Sequence, residues 1–386
     1  MRKACSDRFW ESGEDIHAKV CMRFVVFAER LDLFAVVGGG AFIENFMKKK
    51  TQFTEDFADI ISVDNLLLAW KEFKKGKSKK EGVQLFQLRL MDYILSLHED
   101  LRNQTYQHGP YKHFRIADPK PRDIHKASVR DRLLHHAIYR KLYPFFARTF
   151  ISDSFSCRIG KGTHRAMNRF RSFAYKVSKN HTRTCFVLKC DIRKFFANID
   201  HEILFSILSA YIPDADILWL LKEVVGSFHS LSNSRELESD LKAEAGLPLG
   251  NLTSQLFVNI YMNEFGQFVK HKLKVKYYIR YADDFVIFSH DKVLLERLIL
   301  QITQFLQEWL KLSLHPDKVF IKTIASGVDF LGWVHFHDHR VLRTTTKRRM
   351  FRRVAENPKE ESVASYLGML SHGNTWKLRK KIANQK

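Results

Sequence analysis

Apolar residues along this chain fall into two rhythms. In some stretches they recur at three- and four-residue steps; in others Val, Ile, Phe and Tyr run on unbroken. The first rhythm predicts helices and the second predicts strands. From Phe53 to Tyr106 the spacing is helical, with a short amphipathic helix over Asn65 to Phe73 and another over Phe86 to Leu101. Between them, Gly76 stops the first helix and Lys74, Lys75, Lys77, Lys79 and Lys80 are open to phosphates or simply to solvent. Phe114 to Ile124 reads as two short strands around a Pro119-Lys120-Pro121 turn, followed by a helix from Val129. Leu256 to Val269 is an amphipathic helix with Thr253 or Ser254 as its N-cap. Lys292 to Leu314 is another, with Leu294, Leu298, Ile302, Phe305 and Trp309 as its stripe. Ser230 to Glu244 is polar and reads as a loop. Phe24 to Phe46 is apolar but broken by charges. There Gly38-Gly39-Gly40 lacks the Lys-Ser/Thr of a phosphate loop and reads as a flexible joint.

Two strand-like runs carry acids. Tyr278-Ile279-Arg280-Tyr281-Ala282-Asp283-Asp284-Phe285-Val286-Ile287-Phe288 places adjacent carboxylates at a turn between apolar arms. That pattern predicts a hairpin lifting Asp283 and Asp284 out of a sheet. Asp-Asp in a turn is by itself an ordinary polar tip. A second run, Cys185 to Asp191, also ends in a carboxylate and leads into Phe195-Phe196. Like charges brought together repel unless a cation lies between them, and carboxylate oxygens suit Mg2+. Three such acids at one sheet edge could hold two metals roughly 3.5–4 Å apart, the arrangement that serves in-line nucleotidyl transfer.

Charge narrows the substrate. The 386 residues carry a net charge of +22 and a pI near 9.7, which points to a polyanionic partner. Hydrophobic residues make up 45% and so exclude a disordered chain. Phe, Trp and Tyr at 13% serve both a core and base stacking. Five cysteines without a C-x-x-C pair argue against a zinc ribbon or a disulfide framework and fit a reducing cytoplasm. Neither a membrane span nor a signal peptide is evident. The tail from Arg340 to Lys386 holds 13 Lys or Arg against three Glu.

Tyr281-Ala282-Asp283-Asp284, with upstream Asp191 and its Phe-Phe pair, resembles the palm of reverse transcriptases. The resemblance runs from about residue 53 to 375, with the motifs in family order. It implies an α+β right-hand polymerase: helical fingers over 51–180, an antiparallel-sheet palm over 181–336 and a small basic helical thumb over 337–386. Residues 1–50 lie outside it and receive no role. The implied reaction is RNA-directed DNA polymerisation with two Mg2+ ions, Mn2+ being a substitute. Asp191, Asp283 and Asp284 are the implied metal ligands, with the Ile192 carbonyl completing the shell. Lys318 matches the lysine near the departing pyrophosphate, where it either acts as general acid or neutralises charge.

For the incoming dNTP the resemblance implies Arg122, then Lys120, on the fingers hairpin, with Arg193 and Lys194 beside the triphosphate. Phe196 falls where the family keeps a ring beneath the sugar that collides with a 2′-hydroxyl, and Phe195 is assigned to the core. Gly246-Leu247-Pro248-Leu249-Gly250-Asn251-Leu252-Thr253-Ser254-Gln255 matches the family's Gly-rich segment, with Gly250 and Gln255 at the nucleotide. In most members a Gln precedes the second Gly; here Leu249 does. That departure looks like the reverse transcriptases of diversity-generating retroelements and predicts low fidelity. The phosphate contacts implied are Lys161 and Arg165 on the fingers-to-palm segment, and Lys347, Arg348, Arg349 and Arg352 on the thumb. Arg130 and Arg132 read as structural partners of Asp123 or Asp131. His335, His337 and His339 alternate, but with no Cys nearby they read as a His-rich turn rather than a zinc site.

The expected partners are template RNA, its RNA/cDNA hybrid, dNTPs and a small basic accessory variability protein. Alternatives within the family are retron-like, minimal group II intron and defence-associated enzymes. From other classes come a catalytically inactive RNA-binding module, opposed by the three intact acids, and a nucleotide cyclase palm, whose Gly-Gly-Asp/Glu-Glu-Phe turn is missing.

Overall fold

The computed structural model describes residues 50–117, 121–228, 245–356 and 359–383. The expectations for residues 1–49, for Lys120 and for the loop from Ser230 to Glu244 lie outside the described residues. The described residues begin with four helices, α1 (Phe57–Ile61), α2 (Val63–Lys74), α3 (Glu81–Leu88) and α4 (Leu90–Arg102). Ser62 caps α2 through a bond from the Asn65 N–H, and Gly76, at φ +69°, turns the chain after it. The single helix predicted over Phe86 to Leu101 is two, because Arg89 leaves helical geometry at φ −121°, ψ 38°. Apolar periodicity continues across that break, so spacing alone does not reveal it.

Strands β1 (Lys112–Ile116) and β2 (Arg122–Lys126) form the predicted hairpin, and α5 (Val129–Thr149) follows. Ser128 caps α5 by accepting from the Asp131 N–H. Arg130 and Arg132 are structural, but not with the expected acids. Arg130 pairs with Asp100, while Arg132 lies 4.9 Å from the Phe73 ring centroid and donates to the Ser128 carbonyl. Asp131 is instead buried among Tyr106 and Ser128 hydroxyls.

Helix α6 (Thr163–Val177) leads to β3 (Phe186–Asp191), and α7 (His201–Ser209), α8 (Ala215–Gly226) and α9 (Leu252–Gln267) come next. Then follow β4 (Tyr278–Tyr281), β5 (Asp284–Ser289), α10 (Lys292–Leu310) and β6 (Phe320–Thr323). The central sheet has the order β4-β5-β3-β6, all antiparallel. Its strands are apolar on both faces because both faces are covered. Val187, Ile279, Val286 and Phe288 meet Phe170, Phe173 and Val177 of α6. On the other face Phe285 and Tyr278 meet Phe265 of α9, which in turn packs on Phe305 of α10.

Two helix expectations change. Helix α9 begins at Leu252, with Asn251 in the cap position, and Thr253 and Ser254 are inside it. It is buried nearly all round rather than amphipathic, being wedged between α5 and the sheet. Helix α10 ends at Leu310, and its buried stripe is Leu295, Leu298, Ile302, Phe305, Leu306 and Leu310, with Leu294 left 44% exposed. The choice between Leu294 and Leu295 turns on a rotation of about 100° that apolar neighbours cannot resolve.

Beyond the sheet, β7 (Val328–Phe330), β8 (Trp333–His335) and β9 (Arg340–Leu342) make a three-stranded meander. It is followed by α11 (Thr344–Glu356), α12 (Glu360–Leu370) and α13 (Trp376–Ala383). These share a separate core of Trp333, Leu342, Met350, Val354, Val363, Leu370 and Ile382, closed by Met167 of α6. Gly373 is obligatory there, since a Cβ would stand 2.1 Å from the Trp333 ring. His335 is buried against the Phe330 carbonyl, His337 meets His181, and His339 meets Asp338. Among the described residues they form no metal-binding group. No described helix is long and apolar enough to cross a membrane.

Candidate active site

The β4–β5 hairpin closes on the pair Tyr281↔Asp284, leaving Ala282 and Asp283 as a two-residue loop. Such loops favour primed turns with positive φ, and Ala282 has φ +56°. A left-handed alanine costs on the order of 1 kcal/mol, so something must hold it. Opposite the hairpin, β3 ends at Asp191, directly across from Asp284. The next N–H, of Ile192, donates to the Asp283 carbonyl at 3.2 Å. Ile192 itself is buried, and the Asp191 carbonyl accepts from the His315 N–H at 2.8 Å. Asp191 thus reaches the same end of the sheet as the adjacent pair Asp283-Asp284, more than ninety residues away in sequence.

Their counter-charges in this structure are lysines. Lys318 Nζ lies 2.9 Å from Asp191 Oδ1, and Lys189, almost fully buried on β3, places Nζ 3.3 Å from Asp284 Oδ1. That second contact is an ion pair of poor hydrogen-bond geometry, because Asp284 Oδ1 remains buried without a well-formed bond. Burial pushes the Asp284 carboxyl up to about 7, against the pull of Lys189 and with help from Asp283 and Asp191. Burial and then the Asp191 charge raise Asp283 as well; Lys318 and Arg122 oppose this. Arg122 itself is exposed at the start of β2.

The donor set fits hard divalent cations: carboxylate oxygens, one of them an orphaned buried atom, with mutual repulsion to relieve. Among the described residues no three ligating side chains stand together as a ready-made cluster, because Asp191 and Asp284 are each turned to a lysine. A cation entering this edge would compete with Lys318 and Lys189 for the carboxylates.

A pH effect follows. An unfolded Asp ionises near 3.8, whereas folded Asp284 ionises near 7. Between these values the folded state holds the extra proton, so this group's support for folding is full below about 4 and is lost as pH rises toward 7. In chelator, the stability of Asp284→Asn relative to the parent should improve across that window, by on the order of 1–3 kcal/mol. Denaturant melts at pH 4.5 and 7.5 check this; a constant difference contradicts it.

The expected nucleotide-binding residues other than Lys120 lie among the described residues. Phe195 is 4% exposed and Phe196 is half-buried. Arg193 and Lys194 are exposed. The Gly-rich segment is clamped on two sides. Leu247 N–H donates to the Phe196 carbonyl at 2.8 Å, and His125 N–H of β2 donates to the Leu249 carbonyl at 3.2 Å. Asn251 Nδ2 returns a bond to the His125 carbonyl at 3.1 Å. Gly250 has φ +110°, and a Cβ there would stand 3.1 Å from Ile124. Leu249 and Gln255 are half-buried.

Of the expected phosphate contacts, Lys161 is half-buried, donating to the Ser152 carbonyl, and Arg165 is exposed. Arg158, close to them in sequence, is structural: it donates to the Ala147, Ile151 and Ser154 carbonyls. On α11, Arg348 and Arg352 are exposed and Lys347 and Arg349 half-buried. Sequence reasoning missed Lys189, His125, Asn251 and Arg280, whose Nη1 donates to the Ala282 carbonyl of the hairpin loop. For Lys189 and Arg280 a signal existed: each is a lone cation inside an apolar strand.

Residues 117–335 match the family model described as reverse transcriptase (RNA-dependent DNA polymerase). Protein YkfC of Escherichia coli K12 is 25% identical over 332 residues, covering 76% of this chain and 82% of that protein. The group II intron-encoded protein LtrA of Lactococcus lactis subsp. cremoris is 23% identical over 321 residues, 66% of this chain and 51% of LtrA. The chain therefore spans most of YkfC but about half of LtrA. A solved structure of Candida albicans telomerase with a fragment of telomeric RNA superposes at a TM-score of 0.44 and 14% identity, covering 63% of this chain and 46% of that one.

Proposed function

We propose, given that this chain belongs to the reverse transcriptase (RNA-dependent DNA polymerase) family, that it makes error-rich cDNA from a template-repeat RNA in a diversity-generating retroelement. The family shows an RNA-directed DNA polymerase of right-hand architecture. The finer reading is carried by one observation: Leu249 stands before Gly250, in a segment bonded to both the fingers hairpin and the Phe196 turn. A leucine there offers no hydrogen bond to sugar or base, so discrimination rests on shape alone.

In this reading Asp191 and Asp283 hold two divalent cations, Mg2+ with Mn2+ as substitute, and Asp284 and the Ile192 carbonyl complete the charge and shell. When bound, the metals activate the 3′-hydroxyl and neutralise charge on the departing pyrophosphate. Lys318, already 2.9 Å from Asp191, is placed to give a proton to that leaving group. Arg122, Arg193 and Lys194 neutralise the triphosphate, with the fork of Arg122 suited to two phosphate oxygens. Phe196 excludes the 2′-hydroxyl. Lys161, Arg165 and the α11 cations hold nucleic-acid phosphates. A small basic accessory protein is the expected partner.

Leu249→Gln tests the reading. Restoring one hydrogen bond of about 1 kcal/mol should lower misincorporation opposite template adenine about five- to tenfold. Deep sequencing of cDNA from a defined RNA measures it, and an unchanged error spectrum removes the argument. Separately, replacing Lys347, Arg348, Arg349 and Arg352 with Ala should flatten the salt dependence of hybrid binding by about three in logarithmic slope.

A second reading, a minimal group II intron-type enzyme, draws on the similarity to LtrA. Near-repeat DNA beside the gene, differing mainly at adenines, favours the first reading; flanking intron sequence favours the second.

A further inference from the structure

Arg280 sits in the catalytic hairpin, on β4, and is 1% exposed. Its backbone joins the sheet edge to the segment before α6: its N–H donates to the Asp153 carbonyl at 2.9 Å, and its carbonyl accepts from Phe155 N–H at 3.0 Å. The guanidinium lies wholly inside. Nη2 donates to Ser154 Oγ at 3.0 Å and Nη1 to the Ala282 carbonyl at 3.2 Å, while Nε has no partner. Among the described residues no carboxylate pairs with it. The neighbouring acid Asp153 is committed to Arg169 at 2.6 Å and lies 3.9 Å from Lys270. The other groups acting on Arg280 are the buried Tyr278 hydroxyl, the Arg158 cation and Asp283.

Burying a guanidinium without an acid partner is costly, and apolar residues fill such positions at no comparable cost. The rest of β4 shows that choice, with Tyr278 and Ile279 both fully buried. What the arginine gains here is one bond to the carbonyl of Ala282, the left-handed residue of the loop. Ser154, fixed by its own bridge to β4, anchors the other side of the guanidinium. The planar fork spans from a rigid strand to the strained turn, which a flexible ammonium cannot do with equal definition.

We infer that Arg280 is the positioning residue of the acidic turn: it grips the Ala282 carbonyl from beneath and so sets where Asp283 projects. It touches no substrate. Its effect on rate runs through the placement of Asp283, where a displacement near 1 Å costs about a hundredfold. The inference rests on the polymerase reading of the site, and hydrogen exchange tests it without any turnover.

Arg280→Met, Arg280→Lys and Ser154→Ala, in the full chain, are the variants. For Arg280→Met, kcat at saturating dNTP should fall about a hundredfold, with KM for dNTP and RNA affinity within about twofold of the parent. Amides 282–284 should exchange faster while those of β3 keep their protection. Arg280→Lys should fall between, and Ser154→Ala should loosen the same amides to a lesser degree. A folded Arg280→Met with parental kcat and turn protection overturns the inference. So does faster exchange throughout β3 to β6, which marks a general core role. If Arg280→Met does not fold, parental kcat and turn protection in both Arg280→Lys and Ser154→Ala overturn it instead.

Discussion

Asp191→Asn is expected to abolish primer extension while leaving RNA binding intact. Asp191 caps the central strand, faces Asp284 across the ladder and holds Lys318. The amide keeps the shape and the backbone bonds, including the His315 N–H to its carbonyl. It removes the charge that draws cations to the edge. The loss should be at least about a thousandfold, the scale on which removal of transition-state charge stabilisation is felt. RNA affinity should stay within about twofold, because the phosphate contacts proposed are Lys161 just before α6, Arg165 on α6 and the cations of α11. Extension on an RNA template within tenfold of the parent would place the chemistry elsewhere.

Phe196→Ala is expected to open the sugar gate. The Phe196 carbonyl is tied to Leu247 N–H, and its ring meets Phe195 edge-on at 5.5 Å. The backbone is therefore fixed independently of the ring, and truncation removes bulk without moving the turn. Incorporation of rNTPs relative to dNTPs should rise about a hundredfold, the discrimination that exclusion of one hydroxyl supplies. Phe195→Ala is the contrast. That ring is buried, so its loss should cost about 3–5 kcal/mol of stability and leave sugar preference per folded molecule unchanged. Single-nucleotide incorporation with each sugar decides it, and an unchanged ratio in Phe196→Ala returns that ring to the core.

The strands that carry the acids were legible because they are largely apolar on both faces, so Cys185 to Asp191 and Tyr278 to Phe288 stand out as apolar runs despite the lone cations Lys189 and Arg280. The hairpin was legible from the Ala-Asp-Asp interruption. Register was not. That Asp191 faces Asp284, and that Lys189 two residues earlier meets the same acid, depends on pairing between strands nearly a hundred residues apart. Helix α9 misled for a related reason. A helix buried between α5 and the sheet loses the polar face that amphipathic spacing presumes. The break at Arg89 and the shift from Leu294 to Leu295 belong to backbone and rotational detail that neighbouring apolar residues do not encode. The clamp on Leu249 was out of reach because it is made of backbone groups, His125 N–H and the Leu249 carbonyl, which any sequence carries.

Anomalous diffraction from crystals of the protein with an RNA/DNA hybrid, a dNTP and Mn2+ measures the arrangement itself. The expected result is two manganese peaks roughly 3.5–4 Å apart, both within bonding distance of Asp191 and at least one bound by Asp283, with Lys318 turned away from Asp191. Manganese bound elsewhere on a hybrid-loaded protein, with Lys318 and Lys189 still paired to Asp191 and Asp284, would contradict the shared-metal edge on which the account rests.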